Sequence, residues 1–167
     1  MESENQNQDS HKEAYSHAIR LLARKDYSRH KMEKKLIDKG FDRALAKEVV
    51  SELIEKRFLR EELYVESRVK GLIRKGWSYE KVIHHLEQEK CPIDSSMIDE
   101  IIGESGIDTD EILMHQIQKK WGSQLFGEEL TFEQKQKKKE KVLRYLVSKG
   151  HHFSESKAAL ERFLSTH

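Results

Sequence analysis

The side chains most able to do chemistry in this chain are its nine histidines, its single cysteine and its runs of lysine and arginine. Two histidine pairs are adjacent, His84 with His85 and His151 with His152. Neighbours on a helix point about 100° apart, and no second His or Cys stands four residues from either pair, so the spacing of a helical zinc site is missing. Cys91 has no cysteine to pair with and no thiolate companions for a metal. No glycine-rich phosphate loop, nucleophile motif or supported pair of acids occurs. The reading is therefore non-enzymatic: no catalytic, cofactor-binding or metal-binding residues are expected.

The cations offer a different chemistry, contact with acidic partners. The densest run is Lys135, Lys137, Lys138, Lys139 and Lys141, followed by Arg144. On a helix these residues do not share one face, so a solvated exterior explains them as readily as a partner does. The pairs Arg24 with Lys25 and Arg74 with Lys75 are stronger candidates, because they recur fifty residues apart at the ends of equivalent helices. There they also complement the helix dipole, a purely structural role. The expected partner-binding set is Arg24, Lys25, Arg68, Arg74, Lys75, Lys119, Lys120, Lys137, Lys138, Lys139 and Arg144.

Charge is distributed unevenly although the net is only +1. Residues 14–60 carry thirteen Lys and Arg against seven Asp and Glu; residues 61–109 carry six against eleven; residues 110–167 carry eleven against eight. This basic, acidic, basic order suits a protein that meets both an acidic polymer and basic partner surfaces. A charged fraction of 37% with one proline favours surface-rich helices. The N-terminus, MESENQNQDSHKE, lacks the basic start and apolar centre of a signal peptide and is expected to be a disordered lead-in over residues 1–13. With no apolar run of membrane-spanning length, the expected location is cytoplasmic.

The elements that must position these cations follow from an internal repeat. RKDYS at 24–28 returns as RKGWS at 74–78, with Leu22 and Leu72 before and Leu36 and Leu86 after in the same register. A weaker third copy aligns LIDKGF at 36–41 with LVSKG at 146–150, Phe153 resuming the apolar position after His151 and His152. Three units are predicted, at 14–60, 61–108 and 109–167. Ser28 and Ser78 are expected N-caps, each contributing about 1 kcal/mol. Tyr27 would staple onto Met32 and Trp77 onto Val82, roles that outweigh base stacking by these rings. Gly40 and Gly150, behind Lys39 and Lys149, read as left-handed helix ends. Asp42, Asp94 and Ser154 are expected to cap the third helices. Gly71 stands inside a helix where close packing would explain it.

Helices are predicted near 14–25, 29–39, 43–57, 61–75, 79–90, 95–104, 109–121, 132–149 and 155–164. Stripes such as Val49, Val50, Leu53 and Ile54 keep the helical period. The fold class is all-α: three tandem three-helix repeats stacked into an elongated, curved body.

The string AIRLLARKDYSRHKMEKKLIDKGF, followed by a helix and then RVKGLIRKGWS, resembles the RecX family, and the resemblance reaches through KVLRYLVSKGHHFSESKAAL. It implies tandem three-helix repeats without catalytic residues. It also implies binding in the groove of the RecA recombinase filament on DNA, with modulation, most often inhibition, of ATPase, strand-exchange and co-protease activities. The chain departs from that pattern at Lys31 and Lys81, where Glu or Gln would complete a capping box, and in WGSQLFGEELTF at 121–132, which is longer than expected. The resemblance implies a monomer, the RecA filament as partner, and at most weak non-specific binding to single- or double-stranded DNA. The alternative is a helix-turn-helix-like protein acting on DNA directly. Its reading helix, 43–57, would present Glu48, Glu52 and Glu55 beside its cations, a poor surface for phosphate.

Overall fold

The computed structural model describes residues 2–122 and 130–166, with the side chains of 2–6 excepted, and every element among them is a helix. In chain order these are α1 (Glu2–Leu22), α2 (Arg29–Asp38), α3 (Arg43–Glu55), α4 (Glu61–Arg74), α5 (Tyr79–Gln88), α6 (Ser95–Ser105), α7 (Thr109–Trp121), α8 (Phe132–Ser148) and α9 (Phe153–Thr166). None of the described helices is long and apolar enough to cross a membrane. Most of the segment 121–132 that departs from the family pattern lies outside the described residues.

The caps explain where these helices begin. Ser28 is fully buried, extended, and accepts a hydrogen bond from the Lys31 amide at 3.3 Å; Ser78 does the same for the Lys81 amide. Asp42 and Asp94 cap α3 and α6 as the sequence suggests. Thr131 and Gln134 form a reciprocal capping box on α8, which the sequence reading did not pick out. Ser154 is not a cap: α9 starts one residue before it, and the backbone carbonyl of His152 receives the Ser156 amide at 2.9 Å. The first helix also departs from expectation, running from Glu2 where a disordered lead-in was expected over 1–13. Within that stretch His11 stands 3.1 Å from a Glu52 carboxylate oxygen and 3.9 Å from one of Glu48, both on α3, and the wholly buried Ala14 and Ala18 follow it on α1.

The helix ends repeat. Gly40 donates to the Ile37 carbonyl and Phe41 to the Leu36 carbonyl. Lys90 to Glu87 with Cys91 to Leu86, and Gly150 to Val147 with His151 to Leu146, reproduce that closure on α5 and α8. The residue that turns the chain is left-handed each time, with φ +104° at Gly40, +61° at Lys90 and +96° at Gly150. Three second helices thus end alike, in the register 36, 86, 146.

The chain divides into two compact units. The first holds Met1–Arg68 with Leu86–Pro92. In it α1, α2 and α3 pack mutually around Ala14, Ala18, Tyr27, Met32, Leu36, Ala46, Val49, Val50, Leu53 and Leu59. Met32, Leu36 and Leu53 are fully enclosed, and each such side chain contributes roughly 1.5–3 kcal/mol. The second holds Val69–His85 with Ile93–His167. In it α7, α8 and α9 pack mutually around Ile117, Trp121, Val142, Leu146, Ala159, Leu160 and Phe163. Gly71 has no packing role: a methyl group there would meet nothing within 4 Å.

Candidate functional site

Two seams built to one plan organise the charged side chains, each where the start of a second helix meets the end of a later one. In the first unit, the start of α2 meets the end of α5. Lys31 leaves the first turn of α2, and its Nζ donates to Glu89 Oε1 at 2.7 Å and to the Tyr64 hydroxyl at 2.5 Å. Tyr64 in turn donates to Glu89 Oε2 at 2.7 Å. Arg68 closes the set with its Nη2 2.9 Å from Oε1 and its Nε 3.3 Å from Oε2. Glu89 is only 11% exposed and has both oxygens engaged. Burial opposes its ionisation, but the hydrogen bonds from Lys31, Tyr64 and Arg68 outweigh burial and hold its pKa at about 2. Burial likewise opposes the charge on Lys31, and its pairing with Glu89 and Tyr64 overcomes this and raises its pKa.

Cys91, two residues on, sits beside this seam with its thiol 3.6 Å from Glu61 and from the Glu89 carbonyl. Burial pushes its pKa up, the opposite of what a nucleophilic thiol needs. A cleft of about 340 Å³ opens against the first seam, lined by Lys25, Asp26, Tyr27, Lys31, Tyr64, Ser67 and Arg68. Lys25 Nζ lies 5.0 Å above the Tyr27 ring, a cation on an aromatic face.

In the second unit, the start of α5 meets the end of α8. The Ser78 amide donates to the Lys149 carbonyl at 3.0 Å, and Lys81 Nζ donates to the Ser148 carbonyl. A side chain at Gly150 would collide with Ser78 Oγ at 2.5 Å and Lys81 Cβ at 2.7 Å, so close approach demands glycine there as well as its φ. Lys81 is the counterpart of Lys31 fifty residues on, and Lys149 the counterpart of Glu89 by the shared helix ends. The charge at that second position is reversed.

The consequence is a cluster of ammonium groups. Lys120 Nζ lies 4.4 Å and Lys149 Nζ 5.3 Å from the centre of the Tyr145 ring, and Lys81 Nζ lies 4.5 Å from that of Trp77. Burial, then the charges of Lys81, Lys120 and Lys75, push the pKa of Lys149 down. Among the described residues, no carboxylate stands within ion-pair distance of these four lysines.

The expected partner-binding residues are therefore distributed unequally. Lys25 and Arg68 line the first-seam cleft. Lys75 and Lys120 belong to the second-seam cluster. Lys138 lies 5.7 Å over the Trp121 ring. Arg74 lines a separate depression with Asp108, Glu111 and His115. Arg24, Lys119, Lys137, Lys139 and Arg144 are exposed. Sequence reasoning missed Lys31, Tyr64 and Glu89, and Lys81, Tyr145 and Lys149. A signal was present, since Lys31 and Lys81 recur at the repeat spacing where a capping acid was expected.

Of the aromatic pair, Tyr27 is core, as its staple position predicts, whereas Trp77 is half-buried, edge-on to His85 at 5.3 Å and covered by Lys81. Among the described residues no cluster of three or more His, Cys, Asp and Glu is placed to hold a metal.

Comparison with known proteins locates relatives. A family model described as RecX, first three-helix domain, matches residues 14–53. A protein of Mannheimia succiniciproducens named Regulatory protein RecX is 26% identical over 137 residues, spanning 82% of this chain and 85% of its own. One of Haemophilus influenzae with the same name is 27% identical over 137 residues, spanning 82% and 86%. One of Vibrio cholerae is 26% identical over 144 residues, spanning 86% and 89%. The fold resembles a crystal structure of regulatory protein RecX, with a TM-score of 0.67 at 18% identity over 93% of this chain and 73% of that one.

Proposed function

We propose that this protein regulates a RecA recombinase filament on DNA, proceeding from the fact that the chain belongs to the RecX family. The observation that carries the reading is the likeness to proteins named Regulatory protein RecX along more than four-fifths of the chain. The repeated seam supports it. Lys25 with Arg68 in the first unit, and Lys75 with Lys120 in the second, are cations at corresponding places, suited to a partner that is itself periodic.

On this reading the division at 14–60, 61–108 and 109–167 gives three helical repeats that touch adjacent filament subunits within the groove. Arg24, Arg74, Lys119, Lys137, Lys138, Lys139 and Arg144 extend the contact. Linking several weak contacts makes the later ones intramolecular, so affinity for filament greatly exceeds affinity for a free subunit. The sense of regulation is inhibition of ATPase, strand exchange and co-protease action. The protein acts as a cytoplasmic monomer without a cofactor.

The test is ATP hydrolysis by the recombinase on single-stranded DNA during titration with the purified protein. Hydrolysis falls as the protein is added; unchanged hydrolysis at several-fold stoichiometric excess overturns the proposal.

A further inference from the structure

The second seam differs from the first in that, among the described residues, no carboxylate pairs with its lysines, Glu80 being paired instead with His152 at 3.1 Å. At the first seam one carboxylate, Glu89, accepts from Lys31, Tyr64 and Arg68. At the second, Lys75, Lys81, Lys120 and Lys149 converge from the α4–α5 turn, α5, the last turn of α7 and the end of α8. Lys120 and Lys149 share one aromatic ring. Their ammonium groups are thus within about 10 Å of each other, a Debye length at 0.1 M salt, so their repulsion is not screened away. We propose that this four-lysine cluster is a binding site for phosphate groups, seated between Lys81, Lys120 and Lys149 beside Trp77 and Tyr145.

Three features favour phosphate over a carboxylate. Every cation is a lysine, a compact point charge, whereas planar carboxylates are best met by the guanidinium fork, as Arg68 meets Glu89 at the other seam. Several ammonium groups in one place match an anion of charge near −2 with three acceptor oxygens, or a chain of such anions. The cations also lie on the faces of Trp77 and Tyr145, which leaves ammonium rather than ring surface to meet a ligand and disfavours base stacking as its source of affinity. The phosphates can come from a nucleic-acid backbone or from a free polyphosphate such as a nucleotide tail. The inference shares Lys75 and Lys120 with the recombinase reading but is tested on this chain without a recombinase, so either can fail while the other stands.

The experiment titrates the full chain with inorganic triphosphate, with a twelve-residue oligothymidylate and with hexaglutamate, reading Trp77 fluorescence and the lysine Nζ resonances. The expected result is perturbation of Lys75, Lys81, Lys120 and Lys149 ahead of the other lysines, and a fluorescence change lost in Trp77→Phe. The double variant Lys120→Gln/Lys149→Gln should bind at least about tenfold more weakly, with a salt dependence reduced by about two charges. The control, Lys34→Gln/Lys47→Gln, removes equal charge from the exposed faces of α2 and α3 and should stay within about twofold of the parent. Binding of triphosphate alone assigns a free polyphosphate, and binding of the oligonucleotide alone assigns the backbone; either supports the site. Equal losses in both double variants, unshifted cluster resonances, or tighter binding of hexaglutamate than of either phosphate probe overturn it. Because the resonances are read on the unmodified protein, the test survives a variant that fails to fold.

Discussion

The starts of α2 and α5 carry the same serine cap, an aromatic before it and a lysine three residues after it, yet the two lysines meet opposite surroundings. Lys31 finds Glu89, and the first seam becomes a network of two cations, a phenol and one largely covered carboxylate. Lys81 finds the Ser148 carbonyl, with Lys149 where the carboxylate was. The backbone plan is preserved, down to the hydrogen bonds that close α5 and α8, while the electrostatics are inverted. A repeated fold can therefore devote one copy of a seam to cohesion and leave the other charged toward its surroundings. Glu89 lies in Leu86–Pro92, the segment that belongs to the first unit with Lys31, Tyr64 and Arg68.

The comparison breaks most readily at Glu89. Glu89→Ala removes the carboxylate that Lys31, Tyr64 and Arg68 share, and the expected loss is about 3 kcal/mol of unfolding free energy, measured by urea denaturation. A loss under about 1 kcal/mol would place the first seam among ordinary surface ion pairs. Acid titration is the next largest effect. The Glu89 carboxyl is depressed from 4.5 to about 2, so its contribution is complete above 4.5 and disappears as pH falls through about 2. Wild type should lose on the order of 2 kcal/mol more than Glu89→Gln across that window, read as the difference between their thermal midpoints. Parallel curves would deny Glu89 its coupling.

Smaller changes sharpen the contrast. Lys90 holds the left-handed position that Gly40 and Gly150 occupy on the other second helices, at φ +61°. Lys90→Gly should add about 1 kcal/mol, seen as a higher urea midpoint; a lower midpoint would mean that the Lys90 side chain contributes more than its strain costs. Lys149→Glu copies the first seam's charge onto the second and gives Lys81 a carboxylate. The expected gain is about 0.5 kcal/mol by denaturation at low salt, shrinking at high salt. A destabilised variant would show that the second seam does not tolerate the first seam's chemistry.

Much of this organisation could be read without coordinates, because helix boundaries are local. Ser28, Asp42 and Asp94 cap where their side chains can reach free amides a few residues on, and Gly40 and Gly150 end helices where the backbone turns left-handed. The repeat spacing of fifty aligned Tyr27 with Trp77 and Lys31 with Lys81. Sequence reading failed where an outcome depended on a distant neighbour. Ser154 has the chemistry of a cap, but α9 begins a residue earlier. Residues 1–13 are polar enough to suggest disorder, yet His11 reaches Glu52 and α1 runs from Glu2.

The candidate site divides in the same way. Chain order alone determined that lysines recur at the repeat spacing and that the middle segment is acidic between basic ones, since composition and spacing are properties of the string. Only tertiary structure decided that Lys31 meets Glu89 across fifty-eight positions while Lys81 meets the end of α8 across sixty-seven. Electrostatic energy depends on distance and burial, and neither is defined until helices far apart in the chain have packed side by side.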